Sequence, residues 1–188
     1  YRRRGNEIAR ISNFALEYAL QQMARDGTIS DAVGYCYQRD GHWFYKLTFP
    51  DGNQTWVWDE SVGDPMLGWH QEAWVGTNGS FNRARGWLGA FIHGKNVEID
   101  WENGTLYELD TEAYTDTVSG TAYPITYIRT FPHLMTGTSP VDGSPILANG
   151  KIIQHNALML DVTVGTEEGL PGGKEPMFML RYSDDRGV

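Results

Sequence analysis

The residues whose types and spacing suggest chemistry are two carboxylates, Asp100 and Glu102, on either side of Trp101. In a β-strand, residues i and i+2 share a face with side chains about 7 Å apart, a separation that the two acids of a glycosidase can use. Asp184 and Asp185 form a second acidic pair. Carboxylates beside turns are also ordinary on an acidic surface, and the sequence favours solvated turns over a catalytic pair.

Other catalytic and metal-binding patterns do not occur in the sequence. Its five histidines lie in five different predicted strands or turns and form neither an i, i+4 pair nor an H-x-H pair; they are His42, His70, His93, His133 and His155. The sequence has no G-x-S-x-G or G-x-G-x-x-G motif, and a single cysteine gives no metal motif. We therefore predict no catalytic residues, no metal site and no cofactor, and that the protein is not an enzyme.

Tryptophans and arginines in the predicted strands suggest contacts rather than chemistry. Trp56 and Trp58 share one face of a strand, which indicates packing between neighbouring sheets more than stacking on a sugar. Arg83 and Arg85 also share a face. They are interpreted either as partners for acidic groups of a neighbouring subunit or as solvated charges that discourage edge pairing.

The composition excludes several protein classes. The chain has 188 residues, 15 Lys plus Arg against 24 Asp plus Glu, and a formal charge of −9. Its 10 Tyr, 7 Trp and 7 Phe exclude a disordered chain, and no apolar run approaches the length of a membrane span. The negative charge argues against general affinity for nucleic acid, which needs clustered Lys and Arg.

One helix is predicted over residues 13–24, capped by Ser12 or Asn13 and ended by Asp26 and Gly27. Apolar residues at three- and four-residue spacing predict the face that packs. That predicted stripe comprises Ile11, Phe14, Ala15, Tyr18, Ala19 and Met23.

The chain then changes to the period of two that is typical of strands. Strands are predicted at 33–39, 42–49, 55–59 and 69–74 as one up-and-down sheet, and a similar series follows at 85–93, 96–101 and 105–110. Gly41 matches Gly94 at an offset of 53, and a four-stranded unit recurring every ~50 residues is typical of a β-propeller blade.

A third, less regular group completes the predicted organisation. Its strands are predicted at 123–131, 152–164 and 176–182, with a loop over 136–150 and half of an Asp-box turn at 183–187. The fold class is therefore all-β, with propeller blades at about 28–75, 83–122 and 123–188 and one short helix. Propellers close with about four to eight blades, so the 188 residues are interpreted as a segment of a larger propeller.

Several strings of the sequence resemble the packaged-DNA stabilisation proteins of short-tailed phages. The resemblance follows the chain in order over nearly its whole length. Its residues are 11–17, 41–50, 55–59, 69–70, 103–110, 129–133, 160–165 and 179–185.

The resemblance implies a structural virion protein, a tail hub or nozzle of which six copies form a tube beneath the portal and the head-to-tail adaptor. The implied partners are further copies of the chain, the adaptor and portal proteins, and tail needle, fibre or tailspike proteins. DNA would be retained and then pass through the lumen without specific binding, and no membrane is involved. The implied location is the virion, after assembly in the cytoplasm of the bacterial host.

Two alternatives remain open at this stage. One is a carbohydrate-binding or glycosidase-type propeller, and the other is a repeat scaffold for an unrelated partner.

Overall fold

Antiparallel β-strands dominate the chain in its computed structural model, and one α-helix accompanies them. The structure describes residues 1–64, 66–76, 79–111, 113, 115–118, 120–129, 136–138, 145–147, 159 and 179–181. The chain divides into two units, Tyr1–Asp110 and Thr111–Val188. The prediction of an all-β chain with one short helix is confirmed. Within the described ranges, no helix has the length and apolar character needed to cross a bilayer.

The helix α1 runs from Phe14–Arg25, close to its predicted bounds. Asn13 is the N-cap: its side-chain oxygen accepts a hydrogen bond from the Leu16 amide at 2.9 Å. Gly27, at φ +74°, follows the last turn and lets the chain leave the helix.

The packing face of α1 agrees only in part with the predicted stripe, because Ile11 and Met23 are buried and Ala19 packs against the core as predicted, while the rest of the stripe is exposed. Leu16 and Met23 are the buried residues, whereas Phe14 and Tyr18 are 77% and 66% exposed. Both stripes are apolar and spaced for a helix, so the sequence pattern could not separate them. The sheet beneath selects Leu16 and Met23, which contact Phe49.

Ten strands lie in the described part of the first unit. In chain order they are β1 (Arg2–Arg4), β2 (Glu7–Ala9), β3 (Val33–Arg39), β4 (His42–Phe49), β5 (Gln54–Asp59), β6 (Trp69–Val75), β7 (Phe81–Arg83), β8 (Gly86–Ile92), β9 (Lys95–Asp100) and β10 (Leu106–Glu108). β1 and β2 form a hairpin, β3 to β7 form a five-stranded meander called sheet 1, and β8 to β10 form a three-stranded meander called sheet 2. Sheet 1 therefore has one strand more than predicted, because residues 81–83 pair with β6.

The opening hairpins of the two sheets correspond to each other. β3 and β8 match at an offset of 53 residues from end to end, and the turns that follow them are Asp40-Gly41 (φ 52° and 83°) and His93-Gly94 (φ 50° and 82°). Two consecutive positive φ values define the tight turn that suits the twist of a two-residue hairpin. The repeat that the sequence predicts is therefore present in the backbone of these hairpins.

Sheet 1 lies between α1 and sheet 2. Trp56 of β5 packs with Phe49, Leu16 and Met23 on the helix side. On the other side, Tyr35 of β3 lies against Gly89 of β8, where an added Cβ would be 2.5 Å from the Tyr35 ring. The order of layers is therefore helix, sheet 1, sheet 2.

The second unit, described by itself, shows two hairpins among its described residues. These are β11 (Thr115–Val118) with β12 (Thr121–Pro124), and β13 (Thr136–Thr138) with β14 (Pro145–Leu147). The predicted strand at 123–131 ends at Pro124, and the predicted loop 136–150 contains a hairpin. The predicted blade 83–122 comprises sheet 2 and the separate hairpin β11–β12 rather than one four-stranded sheet. Most of the predicted strands 152–164 and 176–182 and the whole Asp-box turn lie outside the described residues.

Candidate functional site

The most unusual side-chain arrangement in the first unit is a buried charge cluster between sheets 1 and 2. Lys46 of β4 is 2% exposed, and its Nζ lies 2.8 Å from Glu72 Oε2 of β6 and 2.8 Å from Glu98 Oε1 of β9. The Tyr35 hydroxyl donates a hydrogen bond to the same Glu98 oxygen. These four residues, here called the Lys46 cluster, join three strands of sheet 1 to sheet 2.

The electrostatics of the cluster keep its ions charged. Burial would lower the pKa of Lys46, but the two carboxylates outweigh burial and raise that pKa above its usual value. Burial would likewise raise the pKa of Glu72, yet the Lys46 ammonium holds it below its usual value. Burial and then the charge of Glu98 raise the pKa of Tyr35, so its hydroxyl keeps its proton. The Lys46 cluster is therefore suited to holding the sheets together and poorly suited to proton transfer near neutral pH.

A second cluster surrounds Asp100, the first of the two carboxylates that the sequence singles out. The Asp100 side chain is fully buried, and its Oδ2 lies 2.8 Å from the Arg85 guanidinium and 2.8 Å from the Tyr107 hydroxyl, which donates to it. Its Oδ1 accepts the backbone N–H groups of Glu102 and Asn103. Burial opposes the charged form, but these donors outweigh it and lower the pKa of Asp100.

The geometry of a glycosidase pair is not formed by these residues. Asp100 ends β9, while Glu102 lies in the following turn, so the premise that the two share a strand face is wrong. Arg85 binds both carboxylates. A buried carboxylate with a lowered pKa and an arginine partner is not poised to donate a proton to a leaving group. Asp184 and Asp185 lie outside the described residues.

The two arginines of the sequence analysis have partners within the chain. Arg85 pairs with Asp100 and Glu102, and its guanidinium lies 5.7 Å from the Trp101 ring centroid. The Arg83 guanidinium stacks 4.1 Å from the same centroid. Neither interpretation, a partner for a neighbouring subunit or a solvated charge, describes Arg85, which is mostly buried and pairs within sheet 2 and its turn.

The described histidines lie apart in turns and strands. His42 Nδ1 is 2.7 Å from Ser61 Oγ and 3.3 Å from Asp59 Oδ2, a network that ties the start of β4 to the end of β5. His93 occupies the tight turn between β8 and β9. His133 and His155 lie outside the described residues. Among the residues that the structure describes, no group of three or more His, Cys, Asp or Glu has metal-binding geometry.

An aromatic cleft of about 290 Å³ opens where β3 and β4 meet β8 and β9. Its aromatic residues are Tyr35, Tyr37, Trp43 and Phe91, of which Trp43 and Phe91 are 52% and 71% exposed. Asn96 lies in the cleft and donates from its amide to the Gln38 carbonyl at 2.7 Å. Exposed rings beside an amide are groups that can contact a small polar ligand.

The sequence analysis missed the Lys46 cluster because its partners are distant along the chain. One local signal was available: Lys46 stands between Phe44 and Thr48 on one face of a strand rich in apolar residues. Glu98 gave the opposite signal, since the alternation of Val97 and Ile99 predicts that Glu98 faces solvent. Only the packing of sheet 2 on sheet 1 brings the two charges together.

Comparison with protein-family models, with curated proteins and with solved structures finds no match for this chain.

Proposed function

We propose that the chain is a structural subunit of a phage tail, a hub or nozzle that closes the DNA exit channel below the portal and adaptor, retains packaged DNA and conducts it at ejection. The proposal starts from the sequence resemblance. It also assigns the chain to a propeller-like fold that carries further blades.

One structural observation supports the proposal most strongly: the opening hairpins of the two sheets in the first unit repeat each other. β3 and β8 are equivalent at an offset of 53 residues and lie against each other. Equivalent first strands also lie side by side in neighbouring propeller blades, which pack face to face around an axis. This relationship supports a blade-like repeat as the subunit's architecture.

The charges and side-chain clusters agree with a structural role. Lys46 is a buried cation and Arg85 is a mostly buried one, and both are committed to carboxylates that join strands. The formal charge of −9 suits a wall past which DNA slides without adhering, because like charges repel.

Electron microscopy of the purified chain tests this function. We expect six-fold rings with a central channel wide enough for a DNA duplex, because the resembled tail hubs are hexameric tubes. A particle without a channel, or one whose channel wall is strongly basic, would overturn the proposal.

A carbohydrate-binding role is the second proposal, and the aromatic cleft is the observation that favours it. Trp43 and Phe91 could stack on the apolar face of a sugar while Asn96 contacts its hydroxyls. A glycan array should then show binding that Trp43→Ala abolishes and Phe81→Ala keeps, since Phe81 is an exposed ring that does not line the cleft. No binding to any glycan would remove this role. If the chain hydrolyses a bound glycan and Glu102→Gln abolishes that hydrolysis, the chain is a glycosidase rather than a binding protein.

A further inference from the structure

The aromatic cleft lies along a free edge of sheet 1. β3 is an outer strand of that sheet, and four consecutive residues of it, 35–38, line the cleft. Successive side chains of a strand point to opposite faces, so a cleft that contacts all four residues reaches both faces and the backbone edge between them. The backbone of β3 is therefore part of the cleft wall.

The register of β3 shows which of its backbone groups point away from the sheet. Arg39 pairs with His42 across a two-residue turn, so these two residues form the first hydrogen-bonded pair of the ladder. Such pairs alternate with pairs that face outward, so Gln38 and Cys36 direct their backbone N–H and C=O groups away from β4. The Gln38 carbonyl agrees with this direction, because it accepts the Asn96 side-chain amide at 2.7 Å.

Cys36 is left with an unused backbone donor and an unused backbone acceptor. Among the residues that the structure describes, none pairs with its backbone N–H or C=O. Cys36 is exposed and lines the cleft. A hydroxyl group accepts from an N–H and donates to a C=O, and neighbouring hydroxyls of a sugar ring do both at once. The edge of β3 therefore adds a polar wall that complements a sugar to the exposed rings of the cleft.

The cleft offers no counter-ion to an acidic ligand. None of the described residues that line it is charged. The Tyr35 hydroxyl at its wall donates to Glu98 of the Lys46 cluster, where two carboxylates surround one ammonium. A carboxylate that entered the cleft would lose its water without gaining a cation. The cleft is therefore suited to a neutral ligand.

We propose that the aromatic cleft binds one neutral pyranose ring, whose hydroxyls pair with the backbone of Cys36 while its apolar face lies on Trp43 and Phe91. The inference deepens the second proposed function, carbohydrate binding, and rests on it. A volume of about 290 Å³ lies at the lower end of ligand pockets, which suits a single ring. The amide nitrogen of Asn96 is committed to Gln38, which leaves the Asn96 Oδ1 to accept from a further hydroxyl.

The first experiment compares sugars that differ by one charge. Isothermal titration calorimetry of the full chain uses the methyl glycosides of glucose, galactose and mannose, each beside the methyl glycoside of its uronic acid. Each pair differs only at C6, where a carboxylate replaces the hydroxymethyl group. At least one neutral glycoside should bind at least tenfold more tightly than its uronic acid counterpart, because the cleft gives the carboxylate no cation.

The second experiment removes the free backbone N–H of Cys36. Proline is tolerated in an outer strand where the lost N–H is not a donor to the ladder, so Cys36→Pro should fold. Cys36→Ala is the matched variant, since it loses the thiol and keeps the N–H. It should bind the neutral glycoside at least tenfold more tightly than Cys36→Pro does. Circular dichroism and melting temperature show whether both variants are folded.

The thiol of Cys36 reports binding in the wild-type chain without any variant. Cys36 is the single cysteine of the sequence, and it is exposed. Its alkylation by N-ethylmaleimide, followed by mass spectrometry, should slow at least fivefold when the neutral glycoside is present at a saturating concentration. The uronic acid counterpart at the same concentration should leave the rate unchanged.

Each component of the inference can fail separately from the carbohydrate-binding role. Equal binding of a neutral glycoside and its uronic acid overturns the neutral ligand class and keeps the role. A folded Cys36→Pro that binds as tightly as Cys36→Ala, or binding that leaves the alkylation rate unchanged, overturns the contact at the edge of β3. Binding on a glycan array that no neutral methyl glycoside shares overturns the single-ring site. No binding in either assay removes the role and this inference together.

Discussion

At the scale of single residues, buried charged side chains hold the strands and sheets of the first unit together. Lys46 is buried and pairs with the buried Glu98 and the partly exposed Glu72, and the buried Asp100 binds Arg85 and Tyr107. Removing an ion from water is expensive, so such groups stabilise a fold only when their partners are all in place. The Lys46 cluster therefore favours one way of packing sheet 2 on sheet 1 over alternatives that would leave a charge unpaired, and the Asp100 cluster acts in the same way on the pairing within sheet 2.

The first residue-scale prediction concerns the cation of the Lys46 cluster. Lys46→Met leaves Glu72 and Glu98 without their cation, and we expect a loss of about 3–5 kcal/mol in the free energy of unfolding, measured by urea denaturation. The double variant with Glu98→Gln should recover part of that loss, because one buried charge is also removed.

The control for this variant is an ion pair in water. Lys95 pairs with Glu108 at the surface, with side chains 60% and 43% exposed. Lys95→Met should therefore leave the unfolding free energy close to that of the wild type. Equal losses in Lys46→Met and Lys95→Met would contradict the importance of burial.

The second residue-scale prediction concerns stability at acid pH. The pKa of Asp100 in the folded chain lies below its usual value of 3.8. The unfolded chain therefore binds this proton first, and the stabilisation is present above about pH 4 and is lost as pH falls through the folded pKa. The unfolding free energy of the wild type should decrease as the pH is lowered below about 5. Asp100→Asn should make this decrease with pH smaller, and it should destabilise the chain at neutral pH by about 2 kcal/mol.

Urea denaturation at a series of pH values measures both effects. Asp26→Asn is the control, because it removes an exposed carboxylate and tests whether the loss of one negative charge alone flattens the profile. An acid slope that is the same in Asp100→Asn and wild type would show that Asp100 does not contribute to it.

At the scale of elements, two equivalent hairpins organise the first unit. Their turns place Asp40-Gly41 and His93-Gly94 at positive φ, which the non-glycine residue tolerates and the glycine favours. The strands on either side keep the same offset of 53 residues. The backbone of the turn therefore sets the register that brings the Lys46 cluster together.

The element-scale prediction tests the backbone requirement of one turn. Gly94 has φ +82° and open space where a methyl group would be added, so Gly94→Ala tests conformation without a clash. We expect a loss of about 1–2 kcal/mol in unfolding free energy, measured by urea denaturation, because an L-residue is strained at positive φ.

Gly63 provides the matched control for this prediction. It too has open space around an added Cβ, but its φ lies outside the positive region. Gly63→Ala should be neutral or slightly stabilising, since it reduces the freedom of the unfolded chain. A similar loss in Gly94→Ala and Gly63→Ala would contradict the role of the turn conformation.

At the scale of the whole molecule, layering and net charge are the features that bear on function. The first unit places a helix, sheet 1 and sheet 2 in that order. The chain as a whole carries a formal charge of −9. A net negative charge agrees with the proposed role of a channel wall that DNA passes without adhering, because like charges repel.

The whole-molecule prediction concerns DNA. We expect the chain to show no electrophoretic shift of duplex DNA even at low salt, because an acidic protein has few clustered cations to replace counterions. Binding that weakens steeply as salt rises would contradict this expectation and the sliding wall that the proposed function includes.

Local structure in this protein follows from the order of its amino acids alone. Asn13 begins the helix and Gly41 and Gly94 turn the hairpins, because capping and positive φ depend on residues a few positions apart. For the same reason, the alternation of apolar and polar residues predicts the bounds of most strands in the two sheets to within a residue or two.

The choice of buried faces and of charge partners depends instead on how the layers pack. Phe14 and Leu16 belong to equally plausible helix stripes, and Lys46 finds Glu98 52 residues away on another sheet. Such choices require one layer to pack on another, which no local pattern encodes. The outward direction of Ile99 follows from the same packing, because Glu98 on the opposite face of β9 is the side chain that sheet 1 covers.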